Sequence, residues 1–283
     1  MPESLREIPF AIDNDDGARI DGDVRFVDTG GLQPVVVFVH GFKGFKDWGP
    51  FPAWGRALAH AGFVAVHLNV SHNGVSADAP TAFTEMDRFA RNTYTRERDD
   101  IRAVIDAVAD HALPEAPIDA SRIGLMGHSR GGGTAILQAA RDDRVRTLVT
   151  WSAVSTFIGR FTDDQIRDWE THGYTEIVNS RTGQTMRIDR VVYDDAMVHA
   201  DELDIEAAAS QIDVPWLIVH ADDDEAVDIA AAETLAATND GATLLRADGG
   251  HTFGGAHPHD GTVPASLQQV WDATIAFFDR HLA

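Results

Sequence analysis

Hydrophobic and polar positions along the chain predict a hairpin of strands followed by alternating strands and helices. Residues 6–27 alternate apolar and polar side chains around a turn-like run at 14–17, which is typical of an antiparallel hairpin. Residues 35–40 form a continuous apolar run, typical of a strand buried on both faces of a parallel sheet. The same patterns predict further strands at 63–69, 122–127, 145–151, 215–220 and 243–246, and helices at 51–61, 96–112, 134–140, 230–237 and 265–282.

This order of elements predicts an α/β fold. A leading hairpin followed by strand–helix alternation favours a mostly parallel, doubly wound sheet with helices on both faces. The alternation lapses over residues 154–213, a stretch too long for a simple crossover. We therefore expect an α/β core formed by residues 1–153 and 214–283, with residues 154–213 inserted as a small cap or lid.

The charge balance is strongly acidic. The 283 residues include 45 Asp and Glu against 23 Lys and Arg, for a formal charge of −22, which disfavours nucleic-acid binding. One interpretation is a face for a basic partner, and the other is a general surface acidity suited to a salt-rich cytoplasm. The acidic residues are spread along the whole chain, which favours the second, halophilic interpretation.

The sequence lacks cysteine, long apolar runs and a signal-like start, and each of these absences excludes a kind of site or of protein. The chain contains no cysteine, so disulfides, thiolate metal sites and cysteine nucleophiles are excluded. It has no apolar run of ~18 residues and no signal-like start, so we expect a cytoplasmic protein without a membrane partner. The sequence leaves its oligomeric state open between a monomer and a small homo-oligomer.

The clearest chemical motif is Gly127-His128-Ser129-Arg130-Gly131, at a predicted strand-to-helix junction. This G-x-S-x-G pattern predicts a nucleophile elbow, in which glycines at 127 and 131 avoid collisions and the Ser129 hydroxyl is held at a helix N-terminus. The alternative is a glycine-rich helix start or an anion-binding loop.

A serine nucleophile needs a histidine base and an orienting acid, which we expect in the order serine, acid, histidine. The acidic loop after the strand at 215–220 offers Asp224, with Asp222 in reserve; a solvated surface turn is the alternative. The loop after the last strand offers His251, unless it is simply a packed histidine. His128 is interpreted as structural. His257 and His259 indicate an exposed polar loop rather than a metal site.

An oxyanion needs two aligned N–H donors. The N–H groups of Arg130 and Phe42 are the candidates, and Gly41 allows the backbone of the second loop to approach the substrate carbonyl. The Arg130 side chain could grasp an acidic substrate, although packing or pairing away from the cleft is favoured. Six aromatic residues could line an acyl pocket, but most of them are expected to pack in the core or cap: Trp48, Phe51, Trp54, Trp169, Tyr174 and Tyr193.

Together these motifs resemble the α/β-hydrolase superfamily. HGFKGFKDWG at 40–49 and HTF at 251–253 are most similar to dienelactone-hydrolase-like and prolyl-oligopeptidase-like esterases. The resemblance implies an eight-stranded sheet, a serine acyl-enzyme mechanism and no cofactor or metal. It makes Ser129 the nucleophile, Asp224 the acid, His251 the base, and Phe42 and Arg130 the oxyanion amides. Dienelactone hydrolases themselves use a cysteine nucleophile, which this chain lacks, and Ala221 replaces a glycine common in such families.

The predicted function is a carboxylesterase acting on a small-molecule ester of small to medium acyl length. A peptidase, amidase or acyltransferase on the same scaffold is the enzymatic alternative. A non-catalytic binding protein of the same fold is the other alternative, and the complete set of candidate site residues argues against it.

Overall fold

The computed structural model describes residues 4–282, so residues 1–3 and Ala283 of the expected core lie outside the described residues. Within this range the strands are β1 (Leu5–Asp13), β2 (Arg19–Val27), β3 (Gln33–Val39), β4 (Val64–Leu68), β5 (Val75–Ser76), β6 (Ala79–Phe83), β7 (Ile118–His128), β8 (Val145–Trp151), β9 (Tyr174–Val178), β10 (Thr185–Asp189), β11 (Trp216–Ala221) and β12 (Ala242–Ala247). The α-helices are α1 (Phe51–His60), α2 (Met86–Phe89), α3 (Tyr94–Ala109), α4 (Arg130–Ala139), α5 (Asp163–His172), α6 (Arg190–Val198), α7 (Ile205–Ala209), α8 (Ala230–Thr238) and α9 (Ala265–Leu282).

Eight strands form the main sheet, in the order β1-β2-β4-β3-β7-β8-β11-β12. β2 runs antiparallel to both β1 and β4, and every other neighbouring pair is parallel. The sheet is therefore mostly parallel, and the predicted α/β class is confirmed. Because the strands run parallel from β4 to β12, the loops after their carboxyl ends meet along one edge.

Strand β3 shows why its sequence is apolar throughout. Val35, Val37 and Val39 pack into the core on one face of the sheet, while Val36 and Phe38 pack into the core on the other. Helices α1 and α9 supply the second of these cores, and α3, α4 and α8 contribute to the first. A strand covered on both faces has no solvent-facing positions, so its apolar residues need not alternate with polar ones.

The leading hairpin extends the sheet as predicted. Asn14 closes the turn, where its Oδ1 accepts hydrogen bonds from the amides of Asp16 at 3.1 Å and Ala18 at 2.8 Å. Its Nδ2 donates to Asp100 in α3 at 2.7 Å, which anchors the turn to the helical layer. The Asn14 side chain thus links the hairpin turn to helix α3.

Residues 154–213 contain a short 3-10 helix at Ile158–Arg160, helices α5, α6 and α7, and the antiparallel pair β9–β10. Asp195 in α6 accepts hydrogen bonds from the amides of Tyr94 and Thr95 at 3.0 and 3.2 Å, so this segment caps the first turn of α3. The short elements β5, β6 and α2, which precede α3, have no counterpart among the sequence predictions. None of the helices within residues 4–282 is long and apolar enough to cross a membrane.

Candidate active site

Ser129 occupies a sharp turn between β7 and α4. Its φ of 57° and ψ of −122° place it in a region that residues other than glycine seldom adopt. Its amide donates to the Trp151 carbonyl in β8 at 2.8 Å, which ties the turn to the sheet. A Cβ at Gly127 would collide with the carbonyl oxygen of Gly131, and one at Gly131 with that of His40. The two glycines are therefore needed where the G-x-S-x-G pattern predicts them.

The structure brings Asp224, and not Asp222, to His251. His251 Nδ1 lies 2.8 Å from Asp224 Oδ2. Asp222 instead pairs with Arg246 at 2.6 Å on the exposed side of the loop. Asp223 accepts a hydrogen bond from the Gly250 amide at 2.9 Å and so helps to hold the turn that carries His251.

The Asp224 carboxylate is enclosed by hydrogen-bond donors. The amides of Ala226 and Val227 donate to its Oδ1 at 2.8 and 2.9 Å. His220 Nε2, which hydrogen-bonds to the Val227 carbonyl at 2.8 Å, lies 3.4 Å from its Oδ2. Burial by itself would raise the pKa of Asp224. The nearby His220 and the hydrogen bonds from His251 and the Val227 amide outweigh burial and hold that pKa well below its usual range. Asp224 therefore remains a carboxylate beside His251.

His128 supports the backbone of His251. Its Nε2 lies 2.9 Å from the His251 carbonyl oxygen, and the two rings are 4.7 Å apart. Burial, reinforced by the nearby His251, lowers the pKa of His128 to about 3, so its ring is neutral at neutral pH. His257 Nδ1 accepts a hydrogen bond from the Gly49 amide at 2.9 Å, which makes His257 part of a packed loop contact.

The loop after β3 approaches Ser129 closely. A Cβ at Gly41 would lie 2.8 Å from Ser129 Cβ, so only glycine allows this approach. Phe42 follows Gly41 and lines the cavity in front of Ser129. Arg130 is the first residue of α4, so its N–H has no acceptor within the helix. Both amides that sequence analysis selected thus belong to segments adjoining Ser129.

The Arg130 side chain is buried within the cavity wall. Its Nε donates to Glu97 Oε2 at 3.0 Å, its Nη2 donates to the Asn92 carbonyl at 3.2 Å, and its guanidinium lies 4.0 Å from the Tyr94 ring centroid. The side chain is thus paired, as sequence analysis favoured, but it still lines the cavity. Sequence analysis missed Glu97. Its position four residues before Ile101, on the apolar face of α3, was the available signal.

A cavity of about 400 Å³ opens in front of Ser129 and His251. Among the six aromatic residues considered from sequence, only Trp169 lines it, whereas Trp54 is fully buried between Trp151 and Trp271. The other aromatic lining residues come from the loop after β3, from the α2–α3 region and from the start of the 154–213 segment: Phe42, Phe89, Tyr94, Phe157 and Phe161.

Comparison with known proteins agrees with this geometry. The model of the prolyl oligopeptidase family matches residues 54–282. The uncharacterized protein YcjY of Escherichia coli K12 is 32% identical over 131 residues, which are 46% of this chain and 38% of YcjY. The matched region thus spans less than half of that relative.

Two solved structures share the fold at low sequence identity. The esterase domain from a Rhodothermus marinus protein has a TM-score of 0.65 at 17% identity, covering 98% of this chain and all of that one. A puromycin-hydrolyzing peptidase of Mycobacterium tuberculosis has a TM-score of 0.69 at 18% identity, covering 98% of this chain and 39% of that one. The family match extends over most of the chain, and the chain therefore belongs to the prolyl oligopeptidase family and has the α/β-hydrolase fold.

Proposed function

We propose that the protein is a carboxylesterase in which Ser129, His251 and Asp224 form the catalytic triad. The observation that carries the proposal is that groups from three separate loops meet at one cavity. Ser129 stands in a strained elbow, His251 lines the same cavity, and Asp224 Oδ2 lies 2.8 Å from His251 Nδ1. Such an arrangement is suited to activating a serine hydroxyl.

The proposed reaction proceeds through an acyl-enzyme. Ser129 Oγ attacks the ester carbonyl carbon while His251 takes the hydroxyl proton, and the Asp224 carboxylate stabilises the resulting imidazolium. The N–H groups of Phe42 and Arg130 stabilise the negative charge on the former carbonyl oxygen. His251 then gives its proton to the departing alcohol. A water molecule repeats the cycle on the acyl-enzyme, releasing the carboxylic acid and restoring Ser129.

The volume and the lining of the cavity suit a small to medium acyl group. Its volume of about 400 Å³ lies near the lower end of the range usual for ligand sites, and aromatic side chains form much of its wall. Residues 154–213 contribute Phe157, Phe161 and Trp169 to that wall. We therefore propose that this segment serves as the cap that sets acyl preference over a core made by the rest of the chain.

Amide cleavage is the second candidate, because the family is named for oligopeptidases and one structural relative is a peptidase. The same groups could carry out this reaction, with His251 protonating a departing amine instead of an alcohol. Acyl transfer would differ only in using an alcohol in place of water during the second step.

The proposal can be tested in two steps. The first is intact-mass analysis after treatment with a fluorophosphonate, followed by peptide mapping, on the natural protein and on Ser129→Ala. We expect one adduct, on Ser129, and none on the variant. Folded natural protein that forms no adduct, at low and at high salt, would argue for the binding-protein alternative.

The second step compares 4-nitrophenyl butyrate with butyryl 4-nitroanilide, which share an acyl group and an aromatic ring. We expect a higher kcat/KM for the ester. Faster cleavage of the anilide would replace the esterase proposal with the amidase.

A further inference from the structure

The charge of the cavity lining is opposite to that of the protein. The chain carries 45 acidic and 23 basic residues, yet Lys43, Arg130 and Arg160 line the cavity, and among residues 4–282 no Asp or Glu lines it. Only Lys43 and Lys46 are lysines in the whole chain. A cavity enriched in positive charge within an acidic protein concentrates field lines that attract anions.

The three cations are not equivalent. Arg130 forms a buried pair with Glu97, with side chains 10% and 7% exposed, so its charge is largely neutralised. Arg160 donates to the Ala226 carbonyl at 2.9 Å, a neutral partner. The Lys43 ammonium lies 5.7 Å from the Phe42 ring centroid. Within residues 4–282, neither Lys43 nor Arg160 is within ion-pair distance of a carboxylate, and their charges remain available to a ligand.

A fourth cation, the guanidinium of Arg181, adds positive charge next to Lys43. Arg181 donates to the Lys43 carbonyl at 2.8 Å, and its guanidinium lies 5.7 Å from the Trp48 ring centroid. Burial and the nearby Arg181 lower the pKa of Lys43, because both disfavour its positive charge. A bound anion beside Lys43 would offset the repulsion between the two cations. Within residues 4–282, no carboxylate forms an ion pair with Lys43 or Arg181.

We propose that the substrate is an ester that itself carries a carboxylate, held with that carboxylate beside Lys43 and its apolar part against the aromatic wall. Arg160, at another part of the cavity wall, adds to the positive potential that draws the anion in. This inference rests on the proposed esterase function, because it assumes that the bond cleaved is an ester. A neutral ester would leave Lys43 and Arg160 without a counter-charge in a partly desolvated site, which is unfavourable.

The test uses pairs of esters that differ only in charge. Mono-4-nitrophenyl glutarate is compared with 4-nitrophenyl 4-carbamoylbutanoate, which places the carboxylate or its neutral amide in the acyl part. 4-Acetoxybenzoate and 4-acetoxybenzamide place it in the leaving group. We expect the natural protein to prefer the anionic member of at least one pair in kcat/KM at low salt, and the preference to fall as salt is added.

Substitutions then identify which side chain causes the preference for the anionic ester. Lys43→Gln should reduce the ratio of anionic to neutral kcat/KM by about fivefold, near the upper range for a partly exposed ion pair. Arg160→Gln should give a smaller reduction. Arg146→Gln is the matched control, because Arg146 is exposed near the amino-terminal end of β8, away from the cavity, and it should leave the ratio unchanged. Equal rates within both pairs, or a ratio that Lys43→Gln does not alter, would overturn the inference.

A binding measurement distinguishes a failure of this inference from a failure of the proposed function. Calorimetry on Ser129→Ala with both pairs of esters measures affinity without turnover. If the natural protein hydrolyses none of the esters, the esterase proposal fails. Tighter binding of the anionic member of at least one pair, lost in the Ser129→Ala/Lys43→Gln double variant, would still support the anion site, and equal binding within both pairs would refute it.

Discussion

His251 Nδ1 lies 2.8 Å from Asp224 Oδ2, whereas Asp222, two residues earlier on the same loop, pairs with Arg246 at 2.6 Å. Both carboxylates follow β11, but only Asp224 turns inward, where the amides of Ala226 and Val227 hold it. The loop thus supplies a candidate catalytic carboxylate and a matched exposed one within three residues.

Asp224→Asn should reduce kcat by about 10⁴-fold, the size of the loss known for the corresponding change in a well-studied serine protease. An amide in this position no longer favours the orientation and tautomer of His251 that accept the serine proton. Asp222→Asn is the control, and it should leave kcat within about twofold, a range expected for a surface substitution. Steady-state kinetics with 4-nitrophenyl butyrate measure both. Similar losses in the two variants would contradict the assignment of Asp224.

Glu97→Gln should lower the free energy of unfolding by about 3 kcal/mol, because it leaves the buried Arg130 guanidinium without its counter-charge. Glu202→Gln is the matched control: Glu202 pairs with Arg98 at 3.0 Å but is 53% exposed, and its loss should be much smaller. Urea denaturation followed by circular dichroism measures both values. Equal losses of unfolding free energy in the two variants would show that the buried Glu97–Arg130 pair contributes no more to stability than the exposed Glu202–Arg98 pair.

His128 should make the protein sensitive to mild acid. Burial, together with nearby His251, lowers the pKa of His128 from 6.5 to about 3, so the unfolded chain takes up a proton below pH 6.5 that the folded chain does not. The contribution of His128 to stability is therefore present above pH 6.5 and is lost as the pH falls toward 3. Its loss amounts to about 1.4 kcal/mol per pH unit below 6.5.

Replacement of His128 by glutamine should remove that part of the pH dependence. We expect the unfolding free energy of His128→Gln to fall less steeply than that of the natural protein between pH 6 and pH 4.5, whatever their absolute values. Urea titrations at several pH values give the two slopes. Parallel slopes would mean that His128 takes up its proton alike in the folded and unfolded chains.

Salt should stabilise the protein. A formal charge of −22 spread along the chain creates self-repulsion, which dissolved ions screen. We expect the melting temperature to rise between dilute buffer and molar KCl. Chloride is preferred to sulfate for this measurement, because sulfate also strengthens apolar burial. An unchanged melting temperature would refute the proposal that the acidic composition is an adaptation to salt.

Much of the fold follows from local sequence. The apolar run at β3, the hairpin turn at Asn14 and the close approach of Gly127 to Gly131 each involve residues within a few positions of one another. Their backbone preferences and burial patterns therefore hold wherever the segment lies. The order of chemical groups along the chain, with serine before acid before histidine, likewise predicted which loops meet at one edge of a parallel sheet.

The sequence by itself determined the α/β class, the strained serine turn and the loops that carry the candidate acid and the candidate base. Only the tertiary structure decided that Asp224 rather than Asp222 faces His251 and that Glu97 neutralises Arg130 inside the wall. It also decided that Lys43 and Arg160 line the cavity with no carboxylate partner in the part of the chain that the structure describes. These relationships join residues far apart in the chain. Their energies depend on distance and burial at the ångström scale, and neither quantity is encoded by spacing along a sequence.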